Sequence, residues 1–313
     1  MKPWWRLLAA VIVLIIIIAV LDWPHKAKPA VIAKPLVAFT VAQVQRIAIQ
    51  QPGQPEVELS KSGANWTLDQ PYTFAADPTA VATLINSLSD ITDATKVADV
   101  TPSIQLASFG LDPGAKTAAP STITFGLSNG KDIMFAFGSD TPTGGNTYFR
   151  VGSGAIEMDS DYIKTDALKP AFDLQDKTVL HFPTGQITGL TIVQNGKTFN
   201  FAKSKDAWPT EQSSNIDSLI SSLSDAQMDA LVAPTAAAAA PQAAADGLTR
   251  PSYVITLAWL GGSSTLTIGN KTGAAEYFAR NSSTPAIFKL SDYLISDITA
   301  LTTPAPAPAV VKS

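Results

Sequence analysis

The residues best equipped for chemistry sit near the middle of the chain. Glu157, Asp159 and Asp161 place three carboxylates around Ser160. Such a group suits acid–base work or calcium binding, because oxygen donors of one sign share a proton or hold a hard cation. In a strand, however, neighbouring residues face opposite sides, which splits the group. The loop Thr141-Pro-Thr-Gly-Gly-Asn146 is a second candidate. Its backbone at Thr141, Gly144 and Gly145 has the composition of an anion cradle. It lacks the Gly-Lys-Ser/Thr ending of a phosphate loop, and a β-turn connecting Phe137 to Tyr148 is the favoured reading. Tyr148 with Arg150, and Tyr277 with Arg280, are repeated aromatic–cation pairs suited to an interaction surface. Trp66 and Trp208 suit either sugar stacking or core packing. His25 and His181 stand alone, and two isolated histidines build neither a triad nor a metal centre. With no cysteine there is no thiolate chemistry and no disulfide. No catalytic, cofactor-binding or metal-binding residue is assigned, and the chain is expected to be no enzyme.

The elements that must position these residues occur twice. Val44-Gln-Arg-Ile-Ala-Ile49 is echoed by Ile187-Thr-Gly-Leu-Thr-Ile192, and Ser87-Leu-Ser-Asp90 by Ser222-Leu-Ser-Asp225. Gly110-Leu-Asp-Pro113 returns loosely as Gly247-Leu-Thr-Arg-Pro251, and Phe137-Gly-Ser-Asp-Thr141 as Ile268-Gly-Asn-Lys-Thr272. Tyr148-Phe-Arg150 is matched to Tyr277-Phe-Ala-Arg280. The period has the size of a domain and is too long for a solenoid.

Within each copy the hydrophobic period changes. Ile47, Ile49, Val57 and Leu59 alternate around Gln51-Pro-Gly-Gln54, which predicts a hairpin. Asp77-Pro78 predicts a capped helix start, and Val81, Leu84, Ile85 and Leu88 form one apolar helical face. Ile216, Leu219, Ile220 and Leu223 repeat that spacing behind a capping-box-like Ser214-Asn-Ile-Asp217. Strands return at Ile123, Phe125, Ile133, Phe135 and Phe137, with a tight turn at Ser128-Asn-Gly130. The expected fold class is therefore α+β: two modules of antiparallel strands with one main amphipathic helix each. Residues 232–246, rich in alanine and bracketed by Pro234 and Pro241, read as a variable loop.

Ahead of the modules, Leu7 to Leu21 carries no polar side chain. With its flanks from Trp4 to Trp23 it would span about 30 Å as a helix, with tryptophans at both interfaces. Bulky residues and Pro24 stand where a signal peptidase would cut, which favours an uncleaved anchor over a signal peptide. The expected division is an anchor over 1–23, a tether over 24–40, modules over 41–170 and 187–300 joined by a linker over 171–186, and a Pro/Ala tail over 301–313. The membrane is the expected partner of residues 4–23. The first 34 residues hold five basic groups and one acid, which leaves the remainder with 17 basic and 25 acidic residues. An acidic body lacks the basic face that phosphate neutralisation requires, so no nucleic-acid partner is expected.

The order of these signals resembles domain-of-unknown-function family 4340. The resemblance is carried by the apolar N-terminus, the Ile-x-Ile hairpin, Trp66, the helix Asp77–Asp90, Phe109-Gly-Leu-Asp-Pro113, and Phe137-Gly-Ser-Asp-Thr-Pro-Thr-Gly144 running into Tyr148-Phe-Arg-Val151. It covers roughly residues 40–300 and is best in the first module. It implies an envelope-facing accessory protein beside ABC-type transporter components, with its body in the periplasm on a single-pass inner-membrane anchor. It supplies no catalytic residues and no cofactor. Two other functions compete with that one: a module for a cell-envelope glycan or lipid, and a hydrolase using Glu157, Asp159 and Asp161.

Overall fold

The computed structural model describes residues 34–101, 104–115, 119–273 and 275–303. The expected anchor, most of the tether and most of the tail lie outside these residues. Among the described residues no helix is long and apolar enough to cross a membrane.

The first module runs β1 (Val44–Gln50), β2 (Val57–Ser62), β3 (Asn65–Gln70) and β4 (Phe74–Ala75), then α1 (Pro78–Ser89). It continues with β5 (Thr95–Ala98), β6 (Ser121–Leu127), β7 (Asp132–Asp140), β8 (Asn146–Val151), β9 (Ile156–Ser160) and α2 (Tyr162–Ala167). A short α3 (Ala171–Leu174) comes next. The second module runs β10 (Ile187–Gln194), β11 (Lys197–Ala202), α4 (Ser213–Asp225), β12 (Ala230–Ala233) and α5 (Ala236–Gln242). It ends with β13 (Tyr253–Trp259), β14 (Gly262–Thr272), β15 (Glu276–Asn281), β16 (Ile287–Ser291) and α6 (Tyr293–Thr302). The fold is α+β, built on two antiparallel sheets.

The sheet orders are β4-β3-β2-β1-β6-β7-β8-β9-β5 and β11-β10-β13-β14-β15-β16-β12. Removing β3 and β4 makes them the same path. Helix positions obey the sequence pattern. Val81, Leu84, Ile85 and Leu88 are buried on α1, and Ile216, Leu219, Ile220 and Leu223 on α4. The Asp77 carboxylate accepts from Thr79 N at 2.7 Å and Ala80 N at 3.3 Å, so the first turn of α1 is capped. α4 begins two residues earlier than its capping-box pattern suggests, after Gln212, whose side chain makes no cap.

Two boundaries are corrected by packing. Phe39 is buried in the core and Leu36 N donates to Ile91 O at 2.8 Å, so the final residues of the expected tether belong to the first module. Val179 N donates in the same way to Ala226 O at 3.0 Å, eight positions ahead of β10 as Leu36 is ahead of β1. The expected linker is likewise structural. Asp77 N donates to Leu174 O and Asp176 N to Ala75 O, while Met228 N donates to Lys177 O. Residues 174–179 thus bond to the first module on one side and the second on the other. Leu174, Val179 and Leu180 join one apolar cluster that runs through both modules.

The expected loop over 232–246 is also corrected. It holds β12 and α5, with Pro241 inside the helix. Thr235 Oγ1 accepts from Ala238 N at 3.3 Å and caps the start, while Ala239 packs with Leu248 and Ile287. Burial of one alanine face outweighs the hydrogen bond the proline removes.

Candidate functional site

The motifs that recur in both modules meet on the outer face of each sheet, away from α1 and α4. Leu111 N donates to Leu106 O and Gly110 N to Ala107 O; Leu248 N donates to Ala243 O and Gly247 N to Ala244 O. Both are turns closed by a left-handed glycine, at the end of the 3-10 helix Leu106–Phe109 in the first module and in the turn that follows α5 in the second, with φ of 67° at Gly110 and 75° at Gly247. Each cap sits directly on the next motif. A Cβ on Gly138 would collide with Phe109 O, and one on Gly269 with Asp246 O. The Gly-Leu and Phe/Ile-Gly elements are therefore two halves of a backbone-to-backbone dock, formed twice.

The loop Thr141–Asn146 closes on itself. Thr141 N donates to Asn146 O at 2.8 Å and Gly144 N to Thr141 O at 2.9 Å. Gly145 O accepts from Asp161 N at 3.2 Å. Gly144 and Gly145 supply the positive φ of the turn. Because the amides of Thr141 and Gly144 are bonded within the hairpin, the β-turn explains this loop and the anion cradle does not.

The Tyr/Arg pairs need a correction of register. Arg150 lies opposite Ala136 and Arg280 opposite Thr267, which makes the arginines equivalent. Tyr148 then corresponds to Phe278, and Tyr277 is one residue out of step. Tyr148 and Arg150 share the outer face, where Tyr148 stands edge-on to Phe109 at 5.0 Å. Tyr277 faces the core side and Arg280 the outer side, so the second pair is not a pair in space. Among the described residues Arg150 Nε is buried without a hydrogen-bond partner, and the Arg280 guanidinium reaches only Leu248 O, at 3.4 Å.

Glu157 and Asp159, two apart on β9, share one face of the strand, so the expected split does not separate them. Glu157 lies opposite Lys96 on β5, and its carboxyl is pushed up by burial and by Asp99, against the pull of Lys96. Asp159 accepts from the neighbouring Ser160 N, and Asp161 begins α2. His181 pairs with Asp176 at 3.1 Å. Trp66 and Trp208 are both buried, each under a lysine: Lys61 at 5.7 Å and Lys203 at 5.2 Å from the ring centres. They are core residues. No group of three or more metal-ligating side chains occurs among the described residues.

A cavity of about 480 Å³ opens between α5 and the outer face of the second sheet, lined in part by Ala236, Ala239, Ala243, Thr267, Arg280 and Ile287. Sequence reasoning missed it by reading α5 as a loop. It also missed Asp246, which stands before Gly247 as Phe109 stands before Gly110. The Asp246 Oδ2 is buried without a partner among the described residues, and burial pushes its carboxyl above the usual range. Aligning the two Gly-Leu motifs exposes that substitution.

A family model described as a domain of unknown function, DUF4340, matches residues 66–245 and again residues 205–303. The chain belongs to the DUF4340 family. The second match falls on the second module from the turn after β11 to the end of α6. No curated protein and no solved structure matches the chain.

Proposed function

We propose that this DUF4340 protein is a non-catalytic accessory scaffold, held at the inner membrane by residues 4–23 with its modules in the periplasm, beside an ABC-type transport system. The observation that carries the reading is the use made of the recurring residues. In both modules Gly110-Leu111 with Gly138, and Gly247-Leu248 with Gly269, lock backbone to backbone. Residues 174–179 then fasten the modules to each other. A chain whose repeated residues set shape is suited to holding surfaces at a fixed spacing. The arm at Leu36 and Phe39 is bonded into the first module, so a span ahead of it is coupled to the body by a short lead. The transport association rests on the family resemblance.

The test is purification from detergent-solubilised membranes, with the full chain beside a version lacking residues 1–23. Transporter subunits recovered with the full chain support the scaffold. A body found in the cytoplasm, or membranes yielding no membrane-protein partner, would count against it. The cavity beside Arg280 favours one alternative, an envelope glycan or lipid ligand. Titration of such ligands with no change in tryptophan fluorescence or melting temperature removes that alternative.

A further inference from the structure

The two modules differ at one sheet edge. In the first, β2 is covered by β3, with Leu59 opposite Leu68 and Ser60 opposite Thr67. In the second, β11 pairs with β10 alone among the described residues. The chain makes the same turn after both strands. Lys203 lies over Trp208 as Lys61 lies over Trp66, and Ser204 bridges Ala207. Beyond the tryptophan the paths part. Thr67-Leu-Asp-Gln70 continues as a strand, whereas Trp208 is followed by Pro209, and α4 begins at Ser213. Proline has no N–H to donate to a ladder, and the remaining residues are too few for a strand and a return.

The missing strand leaves a mark on the apolar face. Phe201 lies opposite Leu190 and Phe199 opposite Ile192, as Leu59 lies opposite Ile47 and Val57 opposite Ile49. Leu59 and Val57 are 0% and 6% exposed. Phe199 and Phe201, in the equivalent places, are only half-buried. The second module thus presents an open row of backbone donors and acceptors along Lys197–Ala202, beside two phenyl rings that lack the neighbour their counterparts have.

We infer that the β11 edge takes up an extended segment of a partner protein, in the place that Thr67–Gln70 of β3 hold in the first module. Ala207 and Trp208 already fill the places of Asn65 and Trp66, so the occupant need only replace Thr67–Gln70: an apolar residue on the core side, as Leu68 supplies, and no proline in the paired stretch. Charge sets the rest. Lys197 and Lys205 make no ion pair among the described residues and stand at the two ends of the open edge, which calls for an acidic flank. A second copy of the chain fits poorly. Two β11 strands paired antiparallel over their whole length bring Lys197 of each beside Lys203 of the other, and like charges across strands repel. The inference rests on β11 alone and is independent of the tether and of any transporter.

The test uses the full-length, unaltered protein and a synthetic peptide of residues 67–70 with two glutamates after Gln70, where an antiparallel strand reaches Lys197. Amide hydrogen exchange and fluorescence polarisation are read together. The expected result is saturable binding below about 1 mM, with exchange along residues 198–202 slowed at least about tenfold. A peptide ending in two lysines is expected to bind about tenfold more weakly, and an N-methylated peptide not at all. No binding at about 1 mM overturns the inference. So does equal binding of the N-methylated peptide, which would mean apolar adhesion without strand pairing. Protection of β11 that rises with protein concentration in the absence of peptide also overturns it, in favour of self-association.

Discussion

The outer faces of the two sheets carry the same glycine cap and differ in what is laid over it. In the first module Phe109 stands on Tyr148 and closes the face with Leu111 and Ile156. In the second, Asp246 takes the place of Phe109, α5 brings methyl groups to the face that Phe278 shares, and a cavity beside Arg280 remains. The sheet edges differ in the same sense. The first module is finished by β3 and β4, and the second stops at β11. The shared part is backbone geometry and an inner core. The differences are side chains on the outer face and strands at one edge. The second module is therefore the one with surface left to offer.

The largest effect expected from breaking this comparison comes from the shared core. Leu84→Ala on α1 and Leu219→Ala on α4 remove equivalent buried side chains, and each is expected to cost about 2–5 kcal/mol. Because one apolar cluster runs through both modules, both variants should still unfold in urea as a single transition, whether monitored at Trp66 or at Trp208. Two separated transitions would show the modules to be independent bodies.

The docks come next. Gly138→Ala and Gly269→Ala each push a methyl group into a carbonyl oxygen, with an expected cost of about 3 kcal/mol by urea denaturation. Gly130→Ala, in an open turn with φ of 79°, should cost about 1–2 kcal/mol, from backbone strain alone. If Gly269→Ala behaves like Gly130→Ala, the second dock is loose and the two modules are not equivalent there.

The caps give a smaller contrast. Asp77→Ala should cost about 1 kcal/mol, because its carboxylate holds two amides of α1. Gln212→Ala, at the matching position of α4, should change stability by less than about 0.5 kcal/mol, since its side chain caps nothing.

The smallest effect is at Asp246. Burial raises its folded pKa above the unfolded value, so its contribution is favourable below the unfolded pKa and is lost as pH rises through the folded one. Asp246→Asn should therefore have a higher urea midpoint than the parent at pH 7. The two should converge near about pH 3, below the ordinary aspartate range. A midpoint unchanged at both pH values would mean that a water or an unrecognised partner satisfies the carboxylate.

Much of this architecture could be read from residue order. The apolar spacing of Val81 to Leu88 and of Ile216 to Leu223 named two helices and their buried faces, because side chains four apart must share a side. Asp77-Pro78 named a helix start, and Ser128-Asn-Gly130 a hairpin turn. The Gly-Leu and Phe/Ile-Gly elements were visible as repeated motifs, but their purpose was not. Each is half of a dock, and neither half contains information about the other. The match of Tyr148 with Tyr277 failed by one residue. A strand changes face at every residue, so similarity of letters cannot fix register where hydrogen-bonded partners do.

By itself the sequence determined the features that local spacing controls: α+β elements, a duplicated unit, an apolar N-terminal stretch, and turns that require glycine. Tertiary structure decided what depends on residues far apart in the chain. It made a helix of the alanine-rich 236–242 by burying Ala239, whereas composition and Pro241 argued for a loop. It turned the linker into a splice, because residues 174–179 find backbone partners on both sides only when both modules are present. It put Asp161 at the start of α2 while Glu157 and Asp159 stayed together on β9, and it left β11 with one strand neighbour among the described residues. The physical reason is common to all four. Propensity and period act over a few residues, while burial and hydrogen-bond pairing are settled by whatever the folded chain brings alongside.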